Sequence, residues 1–151
     1  MKTYIFDKSK LSDYLLLIIR IWLGYRMITA SYSSVTGMLT SEKQRLFFEK
    51  WFGDELGFPA PLIMAFLAKG AELLGGALLL PGIFSKPAAG LIFFTMLVAT
   101  FTANLGENWV IDGGFTVSYC LFALVIIILG AGKYSLDHFF SKGNPFRKSS
   151  G

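Results

Sequence analysis

Cysteine and histidine are almost absent from this chain: Cys120 and His138 are the single example of each in 151 residues. One cysteine excludes an internal disulfide framework, a CxxC dithiol, a haem-attachment CxxCH and a cysteine-ligated cluster built within the chain. One histidine, with no second group of ligand-type residues beside it, makes no metal site. Nor is there a glycine-rich flavin fingerprint, so no redox cofactor has a covalent or motif-defined seat here. Charged residues are scarce as well, at 16%. What fills the chain instead is apolar: 54% of residues are hydrophobic, 16% are aromatic, and the mean hydropathy is +0.56. That is too apolar for an ordinary soluble domain of this length and points to an integral membrane protein with a single domain over 1–151. The net charge of +4 does not read as nucleic-acid binding, because the basic residues cluster at the predicted membrane ends, where anionic lipid headgroups account for them.

Four apolar runs predict an all-α fold, an antiparallel bundle of four transmembrane helices over about 11–30, 60–80, 87–104 and 114–131. The first run follows Lys2, Lys8 and Lys10, the order of a signal peptide, but Arg20 splits its apolar core and three more spans follow, so it is read as a retained helix. Between the first two runs, residues 41–53 place Phe47, Phe48, Trp51 and Phe52 largely on one side with charges opposite, which predicts an amphipathic helix lying in the interface. Ser41 stands where an N-cap belongs. That helix reads either as a lid over the mouth of the bundle or as a simple anchor. Pro59 and Pro61 open the second span and Pro81-Gly82 closes it.

The second span carries Lys69 and Glu72 near its middle, three residues apart and so on one helical face, with Gly76 one turn further along it. A charge at that depth costs at least about 2.5 kcal/mol, so it faces protein or a wet cavity and has a partner. Counting helix rise from the expected ends puts Arg20 and Glu72 about 13 Å from the same side, which predicts that they meet. Arg26 is expected near the outer end of the first helix. The candidate polar core is Arg20, Lys69 and Glu72, with Tyr25, Asn104 and Tyr119 near it and Trp22 and Phe66 as further aromatic walls. Ala71 and Gly75 form a small-xxx-small pair that permits close helix approach. The threonines of the third span, Thr95, Thr100 and Thr102, are expected to bond back to their own helix. Trp109 is expected at an aromatic belt, and Cys120 is expected as a small core residue.

Lysine and arginine are concentrated at Lys2, Lys8, Lys10, Lys86, Lys133, Lys142, Arg147 and Lys148, while the opposite side balances Lys43, Arg45 and Lys50 with acids. Both termini are therefore expected in the cytoplasm, with the protein in the inner membrane.

Three segments in this order, Arg20-Ile21-Trp22-Leu23-Gly24, Ala71-Glu72-Leu73-Leu74-Gly75-Gly76 with Pro81-Gly82-Ile83-Phe84-Ser85-Lys86, and Gly130-Ala131-Gly132-Lys133-Tyr134-Ser135-Leu136-Asp137, resemble the DoxX family of small four-helix membrane proteins. The resemblance implies kinship with membrane subunits associated with thiosulfate:quinone oxidoreductase, with membrane partners of thiol-redox and oxidative-stress systems, and with a eukaryotic receptor-assembly factor. Many members carry an acid just after the glycine pair that opens the fourth helix; here Gly113-Gly114 is followed by Phe115-Thr116-Val117.

Two functional expectations result. In one, two cations around one carboxylate leave a spare positive charge that holds a quinone or small anion, in a subunit working with a membrane or peripheral redox protein. In the other, the charged core is architecture in a non-enzymatic assembly factor or accessory subunit. No catalytic set is visible in the chain alone.

Overall fold

The computed structural model describes residues 8–103 and 114–142. Six α-helices carry them: α1 Lys8–Thr40, α2 Glu42–Lys50, α3 Pro61–Leu79, α4 Ser85–Ala103, α5 Gly114–Leu129 and α6 Leu136–Lys142. Helix α2 runs on into a π-helical turn over Trp51–Glu55. Among the described residues there is no strand. Three helices are long and apolar enough to cross a membrane, over Lys10–Thr40, Pro61–Leu79 and Ser85–Thr102, and a shorter apolar helix covers Phe115–Leu129.

The largest departure from the sequence expectation is α1, which holds 33 residues and ends at Thr40 rather than near residue 30. Its second half is polar, yet the helix continues. The hydroxyls of Thr29, Ser34, Thr36 and Thr40 each donate to the carbonyl four residues back, at 2.7–3.4 Å, so this run satisfies itself inside the helix instead of turning the chain. A helix does form over the residues expected at 41–53, as α2 and its π-helical turn. Ser41 occupies its N-cap position with extended backbone, but its hydroxyl makes no capping bond. The junction is fixed instead by Arg45, which donates to the Met38 carbonyl at 3.2 Å, and by the Gln44 amide, which fills the space a Cβ on Gly37 would take.

Helices α1 and α3 run antiparallel in close contact. A methyl group added to Gly76 would stand 2.8 Å from the Gly24 carbonyl oxygen and 2.9 Å from the Met27 Cβ. On its other side, α3 brings Gly75 against the Ala88 carbonyl and Ile92 of α4, so the adjacent glycines serve two different neighbours. Because the obstacle at Gly76 is backbone, Gly76→Ala is expected to push α1 off α3 and to cost about 1–3 kcal/mol, read as an earlier thermal transition in detergent. The main core lies between α1, α3, α4 and α5 around Leu23, Leu79, Ile92 and Ile126, and it includes Cys120 as expected. A second cluster joins Met38, Phe48, Phe52 and Ala65, which seats the α2 segment on the end of α1 and α3. Thr95, Thr100 and Thr102 bond back to their own helix, as their membrane-helix setting predicts.

The chain reverses after α3 in a turn with Gly82 at φ +75 and Phe84 at φ +48. Helix α4 then starts at Ser85, two residues before Pro87, a proline the first helical turn tolerates.

Candidate functional site

The sequence-predicted site residues separate into three places. Glu72 is 3% exposed and accepts from the Ser31 hydroxyl of α1 at 2.6 Å and from the Lys69 ammonium, three residues earlier on α3, at 3.0 Å. Arg20 lies elsewhere. It is 2% exposed, and its guanidinium donates to the backbone carbonyls of Ala131 at 3.1 Å and Tyr134 at 2.8 Å, beyond the end of α5. Arg20 therefore does not neutralise Glu72. Opposite Glu72 on α1 stands Ser31, eleven residues from Arg20, about 16 Å of helix. The depth count went wrong because it set Leu11 level with Pro81, whereas the helices pack in a register that puts Arg20 itself beside Gly82 in the turn after α3 and Gly24 beside Gly76. The extension of α1 to Thr40 moves Arg26 away from its outer end.

Tyr119 and Trp22 form the third place. Their rings lie 5.6 Å apart between α1 and α5, Phe122 packs edge-on against Trp22, and Arg26 Nε donates to the Tyr119 hydroxyl at 3.3 Å. Tyr25 is exposed at 59%. Phe66 packs on the cluster under α2. None of these aromatics walls the Lys69–Glu72 pair. Asn104 and Trp109 lie outside the described residues.

What does border the pair is a cavity of about 480 Å³ between α3 and α4, roofed by the segment that follows α2. Trp51, Phe52 and Phe58 form the roof, with Phe52 centred 5.4 Å from Trp51 and 5.8 Å from Phe58. Leu67, Leu91 and Phe94 line the side, and Lys69 and Glu72 supply the polar wall. An ammonium has three donors, and among the described residues Lys69 directs bonds only at the two Glu72 oxygens, at 3.0 and 3.3 Å. The arrangement offers one donor for a guest's acceptor inside an otherwise apolar space, with no excess charge because cation and carboxylate are paired. The spare positive charge expected from two cations does not exist here. Ser31 and the aromatic roof were not among the predicted site residues; the aromatic run over 47–52 was the signal for the roof.

At the far end, the segment after α5 is bound in from several sides. Asp137 accepts from the Phe84 and Ser85 amides, both at 2.8 Å, and so caps α4 from another helix. The Leu136 and Asp137 amides donate back to the Pro81 and Gly82 carbonyls, while Lys133 pairs with Asp13 at 3.0 Å. Burial pushes the Asp137 carboxyl up, but the bonds from Ser85 and Phe84 and the nearby Arg20 charge more than offset this, leaving it below the ordinary aspartate range. A depressed carboxyl contributes stability that is whole at neutral pH, begins to fade as pH approaches about 3.9 and is lost once pH falls through the folded value. Melting temperature measured from pH 7 down to pH 3 is expected to fall less steeply for Asp137→Asn than for the unmodified protein. His138 carries no metal constellation: no group of three potential ligands exists among the described residues.

No curated protein and no solved structure matches the chain. The DoxX family model matches residues 15–105, a stretch that contains Arg20, Ser31, Lys69 and Glu72, and the chain belongs to the DoxX family.

Proposed function

We propose that the chain is a small inner-membrane subunit whose four apolar helices, α1, α3, α4 and the shorter α5, cross the bilayer as an antiparallel bundle, with both termini in the cytoplasm, and that the cavity beside Lys69 holds a quinone-type ring for a membrane redox partner. The lysine-rich ends at the start of α1 and after α5 support the orientation. The observation that carries the ligand reading is depth. Lys69 lies eight residues into the 19-residue α3, about 12 Å from its start, so the free donor sits near mid-bilayer. Phospholipid headgroups stay at the surface, whereas a lipophilic ring with carbonyl acceptors reaches that level. A cavity of about 480 Å³ lies in the range that encloses one drug-sized group. The chain brings no electron carrier of its own among its motifs, so electrons would come from a partner's cofactor.

Lipid mass spectrometry on gently purified protein tests this. Quinone is expected to co-purify with the native chain and to be lost from Lys69→Met, which removes the donor and leaves the aromatic roof intact. Quinone absent from the native protein overturns the reading, and quinone retained by the variant overturns the part assigned to Lys69.

A second reading, an accessory or assembly subunit with a structural charged core, is favoured by one feature: Ser31 and Lys69 together satisfy both oxygens of Glu72 without a guest.

A further inference from the structure

The cavity has two unlike boundaries. Toward the polar end of the bundle it is closed by Trp51, Phe52 and Phe58; Phe52 is 7% exposed and its ring is in contact with both of the others. Between α3 and α4 it is bordered by Leu67, Leu91 and Phe94, which are 61%, 39% and 66% exposed on the outer surface of apolar helices. With the helices crossing the bilayer as proposed above, the roofed side lies toward water and the open side toward hydrocarbon. Lys69, with 20% of its side chain exposed, is more buried than Leu67, Leu91 and Phe94.

We infer that the occupant enters sideways from the bilayer, through the gap edged by Leu67, Leu91 and Phe94, and is a ring with a long hydrocarbon or isoprenoid chain that stays in the lipid after the ring has reached Lys69. This rests on the ring-binding reading above and adds the route and the ligand class. Size supports it: a space of about 480 Å³ holds one ring with its substituents, so a membrane-anchoring chain has to lie outside. Energetics support it too, since each methylene kept out of water is worth about 0.8 kcal/mol, and a chain lying along exposed Leu67 and Phe94 never leaves the apolar phase. A ring arriving from water would instead have to displace the stacked roof.

The test uses the full chain in lipid nanodiscs and two benzoquinone probes with the same ring, one bearing a decyl chain that ends in a photoreactive diazirine and one without a chain. The decyl probe is expected to be retained about tenfold better per unit of probe in the disc, and its chain end is expected to label the Leu67, Leu91 and Phe94 region on α3 and α4. Equal retention of the two probes, or labelling of the Trp51–Phe58 segment by the chain end, overturns the lateral route while leaving ring binding in place. Binding of neither probe overturns the ring reading and this inference together.

Discussion

Replacing Arg20 by methionine is expected to lower the melting temperature in detergent by about 5–15 °C, the largest effect of any single substitution at the turn end of the bundle. The side chain is 2% exposed and holds the carbonyls of Ala131 and Tyr134, two residues of a segment with no regular structure of its own. Hydrogen bonds to a charged donor contribute about 1.5–3 kcal/mol each. Methionine forfeits both but also removes the penalty of burying a guanidinium, whose Nε has no partner among the described residues, so the net loss is about 2–4 kcal/mol. Arg20→Lys keeps the charge without the planar fork and can reach one carbonyl at a time, so it is expected to recover less than half of the loss. A second consequence separates this clasp from a simple buried charge. Once the segment from Gly130 to Ser135 is loosened, Asp137 no longer holds the Phe84 and Ser85 amides firmly, so amide exchange at the start of α4 is expected to speed up in Arg20→Met. Unchanged exchange there, with the melting temperature still lowered, would confine the role of Arg20 to α1 and α5.

This clasp also marks where sequence reading failed, and the reason is non-local. Asp137 caps a helix that begins 52 residues earlier in the chain, and no spacing rule connects the two. The Gly130–Asp137 segment was visible as a family signature but not as a structure, and α6 was not anticipated at all. The α1 boundary failed for a local reason. Hydropathy drops at Ser31, and serine commonly ends a helix, but here the hydroxyls at Ser34, Thr36 and Thr40 are satisfied by their own helix carbonyls. Ending α1 near residue 30 hid Ser31, which became a loop residue instead of the partner of Glu72. Arg20 and Glu72 came to be placed together for a separate reason: depths were counted from Leu11 and Pro81 as if these were level, while Arg20 itself stands beside Gly82. By contrast, the three-residue spacing of Lys69 and Glu72 fixed their shared face before any packing was known, and the bridge at 3.0 Å follows from it. The aromatic run after Ser41 was legible for the same reason: helical periodicity puts those rings on one side whichever surface they meet. That the rings roof a cavity, and do not merely rest in the interface, depends on how α3 and α4 diverge beneath them, which a pattern of residues does not encode.

The sharpest separation of ligand site from architecture comes from a double-mutant cycle on the buried pair. Glu72→Leu is expected to cost about 3–5 kcal/mol, because it leaves the Lys69 ammonium unpaired within an apolar helix and strips the Ser31 hydroxyl of its acceptor. Lys69→Met is expected to cost less, about 1–3 kcal/mol, since Glu72 keeps its 2.6 Å bond from Ser31. Combining the two should not add. With both charges gone the cavity wall is uniformly apolar, and replacing a buried ion pair by apolar residues of similar size is often neutral or stabilising, so the double variant should melt within a few degrees of the native protein. Ring binding in that restored background then decides the matter. A double variant that is as stable as the native chain but retains no quinone assigns the pair to the guest, because the fold has shown that it does not need those charges. One that is equally stable and still retains quinone assigns binding to the aromatic roof and the apolar walls, and the ion pair to neither fold nor guest. If the double variant is no more stable than Glu72→Leu, then the bond to Ser31 is what joins α1 to α3 at this depth, and the charged core is architecture.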